Sequence, residues 1–226
     1  MSIKDNLDLI KTNIEAACSK CGRNPDDVLI LAVTKTRSAA EINEAISLGI
    51  TDIGENRVQE LMSKYDDVVK NVRWHIIGHL QSNKVKYIAD KVCMIHSVES
   101  LKLASEINRQ CEKIGKVMDI LIEVNSGEEN KDGIDPDEVY SLIEAIIPMK
   151  NICIKGLMTM APLGASEEKL RMVFSALRNL SLDILSRGYK NVSMQYLSMG
   201  MSDDYAVAVE EGSTIIRPGR SLFNVN

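Results

Sequence analysis

Val28-Leu29-Ile30-Leu31-Ala32-Val33-Thr34-Lys35-Thr36 is an apolar run that ends abruptly on two hydroxyls flanking an amine. Six consecutive apolar residues bounded by polar ones fit a strand buried on both faces. An open doubly wound sheet carries glycines in the turn after its first strand, and here that turn has none. Seven further short runs follow, at 51–53, 72–77, 92–96, 117–124, 152–157, 192–197 and 213–217, making eight in all. Between them lie longer stretches with apolar residues at helical spacing, such as Ala39-Ile42-Ala45-Ile46 and Leu170-Val173-Phe174-Leu177-Leu180. Gly22, Gly49, Gly115, Gly188 and Gly212 each precede the next run, where a helix-terminating glycine belongs. Eight strands alternating with helices imply parallel pairing, and eight is the number that closes a barrel. The expectation is one α/β domain, residues 1–226, folded as a single (β/α)8 TIM barrel. An additional helix over about residues 3–21 is expected to plug or flank the barrel bottom.

Composition narrows the function classes. Lysine and arginine number 27 against 32 acidic residues, a net charge of −5. Such a mixed, mildly acidic surface lacks the basic stripe of a nucleic-acid binder and the basic amphipathic helix of a membrane-surface protein. No run approaches the ~20 apolar residues of a membrane span, and Met1-Ser2-Ile3-Lys4-Asp5-Asn6 does not resemble a secretory signal. Five scattered cysteines (18, 21, 93, 111 and 153) look like reduced thiols of a cytoplasmic protein. Cys18-Ser19-Lys20-Cys21 has no second pair to complete a zinc site and reads as a helix end. His75 and His79 straddle a strand end, so they do not form a zinc-binding helix face, and no metal site is expected. With no exposed apolar repeat, the expected state is a monomer.

Barrel sites are built at the C-terminal ends of the strands. The residues following the eight runs are Lys35, then Gly54-Glu55-Asn56, Gly78-His79-Leu80-Gln81, His96-Ser97, Asn125-Ser126, Met158-Thr159-Met160, Ser198-Met199-Gly200-Met201-Ser202 and Arg217-Pro218-Gly219-Arg220. Lys35 ends the first strand, where burial of its ammonium would favour the neutral, nucleophilic amine; it is a candidate for Schiff-base formation. The same position also suits a lysine snorkelling to solvent. The last two loops supply hydroxyls, two glycines, two guanidiniums and the start of a helix at about 202, the usual parts of a barrel phosphate site. Either loop alone is equally an N-cap and a turn. Asp203 and Asp204 would repel a phosphate unless turned to solvent. An amine opposite a phosphate cradle suits a phosphorylated aldehyde or ketone: pyridoxal 5′-phosphate, or the sugar phosphate of an aldolase.

These segments, together with Ala32-Val33-Thr34-Lys35 and Trp74-His75-Ile76-Ile77-Gly78-His79-Leu80-Gln81-Ser82-Asn83-Lys84, closely resemble the YggS/PROSC family of pyridoxal-phosphate-binding homeostasis proteins. The resemblance implies a fold-type III barrel like the N-terminal domain of alanine racemase. It implies that Lys35 holds the cofactor as a Schiff base and that Asn56 lies beside the ring. Ser198 and Gly200, with the backbone of Gly219 and Arg220, would hold the phosphate, Arg217 would line the pocket, Met199 is a further cofactor-binding candidate, and His79 is a further rim candidate. Two positions depart from the family pattern: Asn224 follows Phe223 where glycine is common, and Arg220 stands where a small hydroxyl residue is common.

The racemase takes the acid/base of its second face from a separate β domain, whereas this sequence ends nine residues after its eighth run. The implied role is a cofactor carrier without established catalysis, supplying pyridoxal phosphate to apo-enzymes. The alternative is a pyridoxal-phosphate-dependent amino-acid racemase or decarboxylase. Lys131, in the loop after the fifth run, is a candidate for transiently receiving the aldehyde.

Overall fold

The computed structural model describes residues 2–127 and 132–224. Eight parallel strands close into a barrel in sequence order. They are β1 (Leu29–Val33), β2 (Asp52–Glu55), β3 (Arg73–Ile76), β4 (Met94–Val98), β5 (Met118–Glu123), β6 (Ile152–Met158), β7 (Val192–Met201) and β8 (Ile215–Arg217). The helices are α1 (Ile3–Cys21), α2 (Ala39–Ser47), α3 (Val58–Lys64), α4 (Leu101–Lys113), α5 (Val139–Ile146), α6 (Glu167–Ser186), α7 (Tyr205–Glu210) and α8 (Arg220–Phe223). All five glycines expected to end helices have positive φ, from 64° to 106°. The β3–β4 crossover is a 3-10 helix, Ser82–Tyr87, rather than an α-helix. Its residues include the β-branched Val85 and the aromatic Tyr87, which favour an α-helix less than straight-chain residues do.

Of the two positions expected for α1, the structure shows the flanking one. It does not plug the barrel but packs along α7 and α8 and touches α2, with Leu7 and Lys11 beside the N-terminal ends of the first strands. Because α8 is only four residues long, the outer ring lacks a full eighth helix, and α1 fills that gap from the other end of the chain. A capping box of Ser2 and Asp5 starts it, and Gly22 at φ 70° ends it. Ile3, Leu7, Ile10, Ile14, Ala17 and Cys18 form its buried face. At ~1.5–3 kcal/mol for each buried Ile or Leu side chain, that face contributes an amount comparable to the net stability of a whole domain.

Inside the barrel, Leu31, Val33, Ile77 and Ile215 form one apolar cluster and Met94, Leu121 and Met158 another. Around them the interior carries buried Asp52, His75, His96, Ser198 and Arg217, joined by side-chain hydrogen bonds. The helix layer packs outside on a continuous aliphatic core that includes Phe174 and Phe223.

Buried Asn6 ties α1 to the C-terminal turn: its Nδ2 donates to the carbonyls of Leu222 (3.0 Å) and Asn224 (3.1 Å). Replacing it leaves those carbonyls unpaired beneath the helix. Asn6→Ala is expected to lower stability by about 1–3 kcal/mol in a urea titration, with the denaturant slope unchanged.

Candidate functional site

At the C-terminal end of the barrel, a cavity of about 390 Å³ opens between the loops after β1, β2, β6, β7 and β8. Val33 and Ile77 form its apolar base, and Lys35, Asn56, Met201, Ser202, Arg217, Gly219 and Arg220 surround it. The loop after β6, from Met160 to Ala165, makes the remaining wall. Lys35, Asn56, Arg217, Gly219 and Arg220 are thus brought together from the first, second and eighth strands.

Lys35 follows β1 in a turn and is solvent-exposed. The expected burial of its ammonium is not observed, because the chain turns outward one residue after buried Thr34. What fixes Lys35 lies behind it. Glu55, fully buried at the end of β2, accepts hydrogen bonds at Oε1 from Thr34 Oγ1 (2.7 Å) and Lys64 Nζ (2.9 Å), and Lys64 also donates to the Thr34 carbonyl (2.9 Å). Burial raises the Glu55 pKa despite opposing hydrogen bonds from Lys64 and Thr34. Thr36, next in the turn, has φ 63°, a left-handed conformation costly for a β-branched residue. Its backbone N–H is held by Glu60 Oε2 at 2.9 Å.

Across the cavity, the N-terminal turn of α8 presents backbone N–H groups. Ser202 Oγ accepts two of them, from Gly219 (3.2 Å) and Ser221 (3.1 Å). The adjacent Ser221 hydroxyl is buried without a partner among the described residues. Gly219 admits no side chain easily, since a Cβ there would lie 3.3 Å from Val33 Cβ. Gly200, at φ 95°, packs so closely on α7 that a Cβ would meet Ala208 at 2.6 Å. N–H groups that already converge on one hydroxyl oxygen, with a second hydroxyl beside them, fit a bound phosphate. Asp203 does not oppose this, since it is turned to solvent and paired with Arg220 Nη2 at 2.5 Å. Asp204 instead accepts from the Met201 N–H. The Arg220 guanidinium therefore points outward, leaving its backbone at the cradle.

Four expected site residues lie outside the cavity lining, among them Gly200, whose backbone packs on α7. The strand continues through Ser198-Met199-Gly200-Met201, so the alternation of side chains decides their places. Ser198 faces the barrel interior, bonded to His96 and Arg217. Met199 is buried in the outer core. His79 sits on a neighbouring wall with Glu99 (3.4 Å) and Asp132 (3.7 Å). Lys131 lies outside the described residues. Ser202 is one of the two hydroxyls that the sequence places in the loop after the seventh run, whereas Ser221 is not singled out; its available signal is its position just inside the last helix.

Arg217 is buried beneath the cavity. It donates through Nη1 to the Ser198 carbonyl (2.5 Å) and hydroxyl (2.7 Å), and through Nη2 to the Thr159 carbonyl (2.8 Å). Burial pulls it down to about 10, which leaves it charged at neutral pH. Glu123, buried at the end of β5, is pushed up to about 8, first by burial and then by Asp132 and Glu99.

Two outcomes follow for this site. The folded state holds the Glu123 proton to about pH 8, against an ordinary value of 4.5, so ionising it destabilises the fold. That contribution to stability is full below about pH 4.5 and is lost as pH rises to about 8. Glu123→Gln is expected to remove the loss, with a gain of roughly 2–4 kcal/mol over the parent at pH 9 and little below pH 4.5 in paired denaturation curves. Thr36→Gly is expected to relieve about 1 kcal/mol of backbone strain and to make the Lys35 turn more mobile, measured by thermal unfolding and amide exchange.

Residues 6–226 match the family model for the alanine racemase N-terminal domain. The pyridoxal phosphate homeostasis protein of Aquifex aeolicus is 42% identical over 99% of this chain and 98% of its own length. The Escherichia coli protein of the same name is 34% identical over 98% and 95%. PipY of Synechococcus elongatus, solved with PLP bound, superimposes with a TM-score of 0.83 at 33% identity over 94% of this chain and 100% of that one. Alanine racemase of Clostridium difficile shares the fold at 18% identity, TM-score 0.73, with this chain spanning 57% of its length. The chain belongs to the pyridoxal phosphate homeostasis protein family, within the alanine racemase N-terminal domain group.

Proposed function

We propose that this protein binds pyridoxal 5′-phosphate covalently through Lys35 Nζ and serves as a reversible cofactor carrier in pyridoxal phosphate homeostasis. The observation that carries the reading is the meeting, in one cavity, of an accessible primary amine after β1 and a backbone N–H cradle after β8. The cofactor supplies an aldehyde able to condense with a primary amine. The chain's own groups do the rest. Ser202, Ser221 and the Gly219–Ser221 backbone would hold the phosphate, and Val33 and Ile77 would offer apolar contact to the ring. Asn56 stands at the side of the cavity, pressed against Gly78, where a Cβ would lie 2.7 Å from its carbonyl oxygen. Arg217 places a fixed positive charge under the ring site.

The titratable groups among the cavity's described lining are Lys35, Asp203, Asp204, Arg217 and Arg220. Asp203 and Asp204 are engaged with Arg220 and the Met201 N–H. No imidazole, phenol or thiol stands opposite Lys35 among these residues to handle a substrate proton. That supports a carrier over a racemase or decarboxylase, as do the curated relatives' names.

Borohydride reduction of the loaded protein followed by peptide mapping is expected to find the adduct at Lys35, and Lys35→Ala to lose both the visible band and the adduct. Amino acids incubated with the loaded protein in deuterium oxide are expected to keep their Cα proton. An adduct on another lysine would overturn the attachment, and enzyme-like exchange at Cα would favour the racemase reading.

A further inference from the structure

The buried polar groups inside the barrel form one continuous path. Asp52 Oδ1 lies 2.8 Å from His75 Nε2, His75 Nδ1 lies 3.0 Å from His96 Nε2, His96 Nδ1 lies 2.9 Å from Ser198 Oγ, and Ser198 Oγ accepts from Arg217 Nη1 at 2.7 Å. The path begins at the first residue of β2, on the barrel floor, and ends at the guanidinium that lines the cavity. We propose that His75 and His96 are positioning residues, which carry the orientation of the Ser198 hydroxyl, and with it the anchorage of Arg217, from the Asp52 carboxylate to the cofactor cavity.

Hydrogen-bond polarity makes the path directional. Asp52 accepts from Arg73 Nε (2.8 Å) and Nη2 (2.6 Å) and from Thr51 Oγ1 (2.7 Å) as well as from His75. Burial alone would raise its pKa, but the bonds from His75, Arg73 and Thr51 hold it well below the carboxylate range. An ionised carboxylate only accepts, so His75 Nε2 must carry a proton. Burial, with the nearby His75 and Arg217 charges, depresses His96 far below an ordinary imidazole, so His96 carries a single proton.

Two arrangements remain. With one proton on His75, its Nδ1 accepts from His96 Nε2–H, and His96 Nδ1 accepts from the Ser198 hydroxyl. With two protons on His75, its Nδ1 donates to His96 Nε2, and His96 Nδ1–H donates to Ser198. In the second arrangement both lone pairs of Ser198 are taken, by His96 and Arg217, and its hydrogen must turn away from the path. The other groups facing His75 are Arg73 on its own strand and Cys93, whose Sγ lies 3.2 Å from Nε2. Burial, then Asp52, pushes the Cys93 thiol up to about 12, so it stays neutral.

The orientation of Ser198 is a property of the cofactor-free chain; its consequence for loading rests on the cofactor reading above. Nitrogen-15 NMR of the imidazoles in the cofactor-free protein tests the path. The expected pattern at any pH between about 6 and 8 is a protonated His75 Nε2 together with either of two matched states. A singly protonated His75 goes with His96 Nε2–H, and a doubly protonated His75 goes with His96 Nδ1–H. A mismatched pair, or a doubly protonated His96, overturns the proposal.

His75→Phe cuts the path two side chains away from Arg217. It is expected to weaken pyridoxal phosphate loading about three- to tenfold, as loss of one hydrogen-bond constraint implies, with Lys35 still trapped by borohydride. Asp52→Asn, which keeps the shape but removes the fixed acceptor charge, is expected to act in the same direction. Unchanged loading in whichever variant folds overturns the positioning role and leaves the Lys35 attachment intact. Absence of trapping at Lys35 in the parent protein overturns the attachment instead.

Discussion

The hydrogen bonds that close the sheet between β1 and β8 are the constraint on which the rest depends. Leu29 N–H donates to the Thr214 carbonyl at 2.8 Å and Val33 N–H to the Pro218 carbonyl at 2.9 Å. The second bond is made at the level of the cavity and seats the Pro218-Gly219 turn beside the end of β1. Only that closure places the Lys35 amine next to the Gly219–Ser221 donors, from opposite ends of the sequence. The seam is covered from outside by α1, whose Asn6 holds the carbonyls of Leu222 and Asn224. A helix contributed by the N-terminus therefore secures the C-terminal turn proposed as the phosphate cradle.

Buried charge stands behind the site rather than in it. The Glu55–Lys64 pair and Thr34 brace the end of β1, and the path from Asp52 to Arg217 braces the end of β8. Replacing a buried ion pair by well-packed apolar groups is often neutral or stabilising, so neither device is explained by stability alone. Glu55 Oε2 is even left without a hydrogen-bond partner. What both arrangements provide is a single geometry at a strand end, where a left-handed Thr36 and a buried guanidinium would otherwise relax.

The fold was largely legible because its signals are local. Apolar runs of strand length, helical spacing between them and a glycine before each run survive in a sequence with no knowledge of the partner strands. The site was legible less evenly. Lys35, Asn56, Arg217 and Gly219 follow directly from strand ends, and the structure gathers them. Ser198, Met199 and His79 were misplaced because strand length, not composition, sets which residues remain in the alternation. β7 runs four residues beyond its apolar stretch, so Ser198 turns inward and Met199 outward, while Ser202 reaches the cavity. His75 reads only against His79 as a metal pair and His96 as a strand-end residue; their juxtaposition comes from parallel register across β2, β3 and β4, which no local pattern encodes. Two positions stayed open for α1 for a related reason, since the vacancy it fills is created by the shortness of α8 at the far end of the chain.

The two halves of the cavity are built to different standards, and that difference bears on what the site does. The side proposed to take the phosphate is built from fixed parts: N–H groups of a helix turn, glycines packed against neighbours, and a guanidinium held by three hydrogen bonds. Preorganised donors bind an anion with little reorganisation. The amine side is exposed, with the lysine itself free of ion pairs or hydrogen bonds among the described residues and only its backbone turn fixed. Arg217 is buried beneath the cavity, whereas the amine proposed to take the cofactor is open to solvent. Firm recognition of the phosphate with easy access to the carbon that the amine attacks is the combination that lets a cofactor be held specifically and still be given up.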